Sequence, residues 1–177
     1  RLPNDKVANA MAYLDDCIGR FIDRLKRTPQ WENTLIILLP DHGIFYPEGI
    51  SDTNERKSHI PLIWTGGVVA KARKIDKICN QTDLAATLLG PMGLPHDDFT
   101  FSRDVMSRSY THPSAVHVWS EGIYWKDATG ISVVNLMTKP ESVFREAPQP
   151  STLRVNAAKA FLQTCYDYLQ GEKPAAR

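Results

Sequence analysis

The chain has 177 residues, of which 42% are apolar and 23% charged, as is typical of a globular domain or a large part of one. Its 21 basic and 20 acidic residues nearly cancel, so charge gives no basis for expecting nucleic acid or an anionic membrane surface as a partner. No apolar run approaches the ~20 residues of a membrane span, and the three widely spaced cysteines do not form a disulfide framework.

The first half of the chain has the pattern of an α/β unit. Between residues 6 and 27, apolar side chains recur at steps of three and four, which predicts a long amphipathic helix. Residues 34–39 form a continuous aliphatic run, which is typical of a parallel strand buried on both faces. A second short apolar run at 59–64 predicts a neighbouring strand, and residues 82–89 have the pattern of a short helix. This succession of helix, loop and apolar strand favours an α/β fold.

The second half is rich in short β-type segments. Three of them are separated by turn residues: 115–120, 122–126 and 130–137. They predict a small antiparallel β element, which a connection at 140–150 joins to a C-terminal helix capped by Ser151. We therefore expect an α/β portion at 1–106, an antiparallel β portion at 107–150, and a C-terminal helix with a loose tail at 151–177.

The polar triplet Asp41-His42-Gly43 follows directly on the first aliphatic run and its proline. In open α/β sheets, ligands bind beyond the carboxyl ends of the strands, which is where such a triplet would lie. A carboxylate and an imidazole are suitable ligands for zinc or manganese, and a glycine lets the backbone turn sharply and keeps bulk away from them. The alternative is a solvated turn with a hydrogen-bonded histidine. Asp41 and His42 are thus the candidate metal ligands.

A second histidine, His59, stands at the start of the next apolar run. The loop between the two runs, residues 44–58, holds charged side chains that we expect to be solvated: Glu48, Asp52, Glu55, Arg56 and Lys57. If the two strands adjoin, the loop covers the metal position and His59 can face it, which makes His59 the candidate substrate-binding residue. The alternative for His59 is a packed or hydrogen-bonded residue at a strand start. Ser51 and Thr53 have no obvious base nearby, so we assign no catalytic nucleophile to this chain.

Three stretches, taken in this order and spacing, resemble sulfatase-like proteins of the alkaline phosphatase superfamily. They are YLDDCIGRFIDRLKRTPQWENTLIILLPDHG at 13–43, SHIPLIWTGG at 58–67 and NQTDLAATLLGPMGL at 80–94. The resemblance extends from Met11 to about Asp104 and is strongest to the lipoteichoic acid synthase and phosphoglycerol transferase group. Pro40 departs from the pattern, since many members have a small residue before the aspartate.

The resemblance implies a partial alkaline-phosphatase-like sheet with flanking helices. It also implies a metal-dependent enzyme that acts on phosphate or sulfate esters, which can be linked to a lipid or a glycan. In such proteins the aspartate and histidine of this motif bind a divalent metal, here manganese, zinc, magnesium or calcium, which assigns that role to Asp41 and His42. The nucleophile and an acidic ligand belong to an upstream half, so the chain corresponds to a C-terminal part that is inactive alone.

Location and catalytic competence follow from the same resemblance. Members of the group are usually anchored in the cell membrane with the catalytic domain outside the cytoplasm, and we expect any anchor to lie upstream of this chain. The alternative hypothesis is a non-catalytic domain of the same fold, which only binds or scaffolds and in which the Asp-His pair is a leftover turn. A Thr or Ser nucleophile and an acidic ligand upstream of Arg1 would favour the enzyme.

Overall fold

The structure, a computed structural model, describes residues 5–46, 49–138, 142–148 and 151–171, with the backbone alone at 142–148. The chain divides into two compact units, Arg1–Lys74 and Ile75–Arg177. The boundaries that the sequence suggests after residues 106 and 150 stay predictions. In the described part of the chain, no helix has the length and apolar character needed to cross a membrane.

The first unit begins with an amphipathic helix, α1 (Lys6–Leu25), as the spacing of its apolar side chains predicts. Asp5 caps this helix, because its carboxylate accepts a hydrogen bond from the N–H of Ala8 at 2.8 Å. Several apolar side chains of α1 remain exposed: Val7, Met11, Leu14 and Phe21. A 3-10 turn at Pro29–Asn33 then leads the chain into the first strand.

The first strand, β1 (Ile36–Leu38), pairs with β2 (Ile63–Thr65) in a two-stranded sheet. The pairing is antiparallel, with Leu38 opposite Ile63, and β1 is only half-buried. The expectation of a parallel strand buried on both faces is therefore wrong. An aliphatic run indicates burial, but strand direction depends on the connection between the strands. Here the chain enters β2 at the same end of the sheet at which it leaves β1, so the strands are antiparallel. Between the strands lies one helical turn, α2 (Glu55–Ser58), where the sequence predicts an irregular loop.

Two glycines let the end of β2 lie against the chain that precedes β1. A Cβ on Gly66 would overlap the carbonyl of Thr34, and a Cβ on Gly67 would overlap that of Trp31. The N–H of Gly67 also donates to the carbonyl oxygen of Trp31 at 3.1 Å. This close approach fixes the register of the strand pair that carries the candidate site, because any side chain at either glycine would push the segments apart.

The second unit is built around a four-stranded antiparallel sheet. A 3-10 turn (Gln81–Asp83) and a short helix, α3 (Leu84–Leu89), precede it, close to the predicted helix at 82–89. Its strands, in the order in which they pair, are β3 (Ser114–Trp119), β4 (Gly122–Asp127), β5 (Gly130–Asn135) and β6 (Ser142–Pro148). The predicted antiparallel element is thus confirmed.

A C-terminal helix, α4 (Thr152–Leu169), packs on one face of this sheet, and Ser151 caps it as predicted. The fully buried side chains of this contact are Ile123, Val134 and Ala158. The guanidinium of Arg154, also buried, donates to the hydroxyl of Ser132 at 2.9 Å. The helix therefore covers an apolar patch of the sheet, and the hydrogen bond from Arg154 to Ser132 holds its first turn against the sheet.

The predicted fold class is confirmed, since small antiparallel sheets and flanking helices form a mixed α/β structure. The strand β6 corrects one detail, because the sequence predicts a connection at 140–150. Pro148 weakens a strand prediction, yet proline is tolerated at the end of an edge strand, where this one lies. Residues 140, 141, 149 and 150 of that connection, and 172–177 of the predicted tail, lie outside the described residues.

Candidate functional site

Asp41 and His42 lie just beyond the end of β1, where the sequence predicts them, and both face solvent. Their side chains are 89% and 73% exposed, and Nε2 of His42 lies 3.6 Å from Oδ2 of Asp41. The other carboxylate oxygen, Oδ1, accepts a hydrogen bond from the backbone N–H of His42 at 3.0 Å. The imidazole and the carboxylate are thereby held facing each other.

The tautomer of His42 is set by the backbone. Its Nδ1 lies 2.7 Å from the carbonyl oxygen of Gly43, and because a carbonyl only accepts hydrogen bonds, Nδ1 carries the proton. In the neutral imidazole the lone pair is then on Nε2, the atom that faces Asp41. Metal-binding histidines are usually oriented in this way, by a hydrogen bond from the nitrogen that does not bind the metal.

The donor atoms of the pair suit a divalent metal. Two ligands at about 2.1 Å from one tetrahedral ion lie about 3.4 Å apart, close to the 3.6 Å that separates Nε2 and Oδ2. Within residues 5–46, 49–138 and 151–171, no third His, Cys, Asp or Glu joins them in a group able to hold a metal. The pair therefore offers two of the ligands that a metal site of this kind requires.

Gly43 brings the pair close to the segment that carries His59. A Cβ on Gly43 would overlap a backbone carbonyl of α2, and its φ lies outside the left-handed range, so close approach rather than a sharp turn requires this glycine. Leu38 and Ile63 are paired in the ladder; His42 lies four residues after Leu38, and His59 lies four residues before Ile63. The two segments therefore continue side by side past the sheet, as the adjoining strands predict. His59 is exposed, and its contact with substrate stays a prediction.

Lys57 is a part of this region that the sequence does not reveal, because its loop is expected to be solvated. Its side chain is only 14% exposed and its amino group donates to the carboxylate of Asp52. The same amino group lies 3.6 Å from the centroid of the Phe45 ring. The backbone carbonyl oxygen of Lys57 is the atom that leaves no room for a side chain at Gly43. The sequence does contain an aromatic and an acidic residue in the same short loop, Phe45 and Asp52, but it does not show that Lys57 is the cation that contacts them.

The chain after Gly43 is also tied to the start of α1. The Tyr46 hydroxyl donates to Oδ2 of Asp5 at 2.7 Å, while Oδ1 caps the helix. The hydrogen bond from the N–H of Ala8 and then that from Tyr46 hold the pKa of the Asp5 carboxyl below its usual value. The same contact raises the pKa of the Tyr46 phenol. At neutral pH the bond therefore joins a carboxylate to a protonated phenol.

The two hydroxyl residues of the loop pair with each other. Oγ of Ser51 and Oγ1 of Thr53 lie 2.9 Å apart and share a hydrogen bond. This contact gives neither hydroxyl the adjacent base that an activated nucleophile needs. The expectation that the nucleophile lies outside this chain stays a prediction.

Comparison with known proteins identifies the relatives of this chain. The model of the Sulfatase family matches residues 4–94, just over half of the 177 residues. A protein described as a sulfatase from Formosa agariphila is 33% identical over an alignment of 90 residues, and the match covers 48% of this chain and 17% of that protein. Residues 4–94, which the family model matches, contain α1, both strands of the first sheet, the Asp41-His42 pair and His59.

A solved structure matches nearly the whole chain. The crystal structure of a protein in the alkaline phosphatase superfamily from Vibrio parahaemolyticus superposes with a TM-score of 0.74 and 20% identity. The superposition covers 99% of this chain and 47% of the other, so it establishes an alkaline-phosphatase-type fold. This chain therefore spans less than half the length of either relative.

Proposed function

We propose a function from one premise: the chain belongs to the Sulfatase family. From that membership we infer that it is the C-terminal part of a metal-dependent enzyme acting on phosphate or sulfate esters. The observation that carries the proposal is the Asp41-His42 pair, whose carboxylate and Nε2 lone pair face each other at 3.6 Å. A solvated turn would have the same hydrogen bond from His42, so metal binding by the pair is what distinguishes the two alternatives.

Asp41 and His42 would hold a divalent cation: the imidazole suits zinc, whereas the carboxylate also suits manganese, magnesium or calcium. When bound, the metal supplies Lewis-acid polarisation of an ester oxygen. The part that this chain plays is to orient the two ligands, by the bond from His42 to Gly43, and to place His59 at the same end of the sheet. His59 would contact the anionic group of the substrate, since an imidazole N–H can donate a hydrogen bond to a phosphate or sulfate oxygen.

We further propose that the whole protein is a phosphoglycerol transferase-type enzyme with a lipid- or glycan-linked substrate. The proposal rests on the three sequence stretches that resemble that group, from the YLDD helix to the QTDL helix. It places the nucleophile, a third ligand and any membrane anchor in polypeptide outside this chain, with the catalytic domain on the outer side of the membrane.

A second candidate is a non-catalytic binding or scaffold domain of the same fold. Two observations favour it: the exposed Asp41-His42 pair has no third ligand among the described residues, and Ser51 and Thr53 bond to each other. Turnover by the intact protein separates the candidates. Metal binding without hydrolysis or transfer of phosphate and sulfate esters would favour the binding domain.

The pair is tested by His42→Ala and Asp41→Ala, with His96→Ala as the matched control. His96 is half-buried, and its Nδ1 likewise lies 3.2 Å from a backbone carbonyl oxygen, that of Leu94, but in the chain it does not follow a strand. Titration calorimetry with Mn²⁺ and Zn²⁺ should show at least a tenfold loss of affinity in each site variant and none in the control. Undiminished binding by both site variants would refute the metal assignment.

A further inference from the structure

Lys57 contacts two parts of the loop that follows the candidate metal pair. Its amino group donates to Asp52, and it lies over the ring of Phe45 at 3.6 Å from the centroid. A lysine amino group is normally in water, whereas the side chain of Lys57 is only 14% exposed. Because water screens such a pair less than a surface pair, both contacts act with more strength than an exposed lysine would provide.

The position of Lys57 in the chain gives these contacts a consequence for the site. Phe45 is three residues after His42, so the lysine fixes the segment that leaves the metal pair. Its own carbonyl lies against Gly43, and it precedes His59 by two residues. One residue, two positions before His59, therefore contacts the segment that directly follows His42.

Resting on the proposed function, we propose that Lys57 is a positioning residue, which holds the His59 segment against the Asp41-His42 loop through Phe45, Asp52 and Gly43. It touches neither substrate nor metal in this role. Its effect is to keep the Nδ1 proton of His42 directed at the Gly43 carbonyl, and so to keep Nε2 directed at Asp41.

Lys57→Met tests the proposal, because it keeps a long apolar side chain and removes the charge. Lys57→Arg is the rescue variant, since a guanidinium binds carboxylates and stacks on aromatic rings. Lys26→Met is the matched control. Lys26, directly after α1, also lies over an aromatic ring, Trp31 at 5.7 Å, and pairs with an aspartate, Asp23 at 3.9 Å.

The first readout is nitrogen NMR of the histidines without metal. In the unaltered protein His42 should show the Nδ1-protonated tautomer, and Lys57→Met should give averaged tautomers, while Lys57→Arg and Lys26→Met keep the original signal. An unchanged His42 spectrum in Lys57→Met would overturn the proposal. If that variant does not fold, Asp52→Ala and Phe45→Leu remove the two contacts singly, and each should give part of the same change.

The second readout is Co²⁺ affinity, followed by the visible absorption of the bound ion. We expect Lys57→Met to weaken binding about tenfold, with recovery in Lys57→Arg and no change in Lys26→Met. The two readouts separate two kinds of failure. Absent Co²⁺ binding in the unaltered protein would count against the proposed function, whereas the tautomer signal still decides the role of Lys57.

Discussion

The two units of the molecule hold their key side chains by different means. In the second unit Ile123, Val133 and Val134 are completely buried, and α4 covers part of the sheet. In the first unit, over residues 5–46 and 49–74, Gly66 is the only buried residue. The candidate site therefore lies in a region organised by close backbone approach and polar contacts, whereas the region without a candidate site contains the apolar core.

This difference predicts which property a substitution should change in each unit. Burial of apolar area is the dominant favourable term in folding, so unfolding of the second unit should respond strongly to core substitutions. The first unit instead depends on contacts that each hold one segment, such as Gly43 against α2 and Tyr46 with Asp5. Substitutions there should change the geometry of the site more than the free energy of unfolding.

The largest effect is expected for Ile123→Ala, compared with Ile63→Ala. Ile123 is 0% exposed beneath α4, and its truncation leaves a cavity, which should cost about 4 kcal/mol of unfolding free energy. Ile63, on β2, is 52% exposed and should cost less than about 1 kcal/mol. Urea denaturation of both variants measures the difference. Equal losses would mean that burial does not distinguish the two units.

An intermediate effect is expected for Gly43→Ala, with Gly19→Ala as its control. A methyl group on Gly43 would overlap the Lys57 carbonyl, so the loop must shift, at a cost of about 2 kcal/mol. Gly19 has open space around it within α1, and alanine there should stabilise the helix by about 1 kcal/mol.

In thermal unfolding, Gly43→Ala should therefore lower the midpoint temperature and Gly19→Ala should raise it. In Mn²⁺ titration, only Gly43→Ala should weaken metal binding. Full Mn²⁺ affinity in Gly43→Ala would show that the loop tolerates a side chain and that the close approach does not position the pair.

The smallest effect at neutral pH concerns Tyr110 in the second unit. Burial raises the pKa of its phenol to about 12, although the nearby Arg103 lowers it, and the hydroxyl donates to the carbonyl of Ile78 at 2.7 Å. The folded state keeps a proton that the unfolded state loses near the ordinary value of 10. The stability from this group is thus complete below that pH and is lost as pH rises towards 12.

Tyrosinate absorbance during an alkaline titration checks this. An ionisation at about pH 12 should be present, and Tyr110→Phe should remove it, whereas Tyr13→Phe, at an exposed position of α1, should not. Its persistence at full amplitude in Tyr110→Phe would contradict the assignment.

Much of the site and the fold could be predicted from sequence where the signal is local. The helical period identifies α1, and the position of Asp41-His42 after an aliphatic run identifies the candidate ligands. Strand direction could not be predicted, because the run at 34–39 is equally apolar in either orientation. The role of Lys57 was hidden for a similar reason: charge suggests solvent, and burial of this lysine depends on Phe45 and Asp52 closing around it.

The register of the first sheet has a consequence for variation in chain length. His42 and His59 lie at equal distances from the Leu38–Ile63 pair, so one residue added at 39–41 or at 60–62 would offset the histidines by about 3.3 Å. Between Gly43 and Lys57 the chain closes a loop whose ends already touch, and lengthening such a loop costs little free energy. Gly49, with open space around it, is therefore a position at which this loop can accept insertions while His42 and His59 stay at the same level of the sheet.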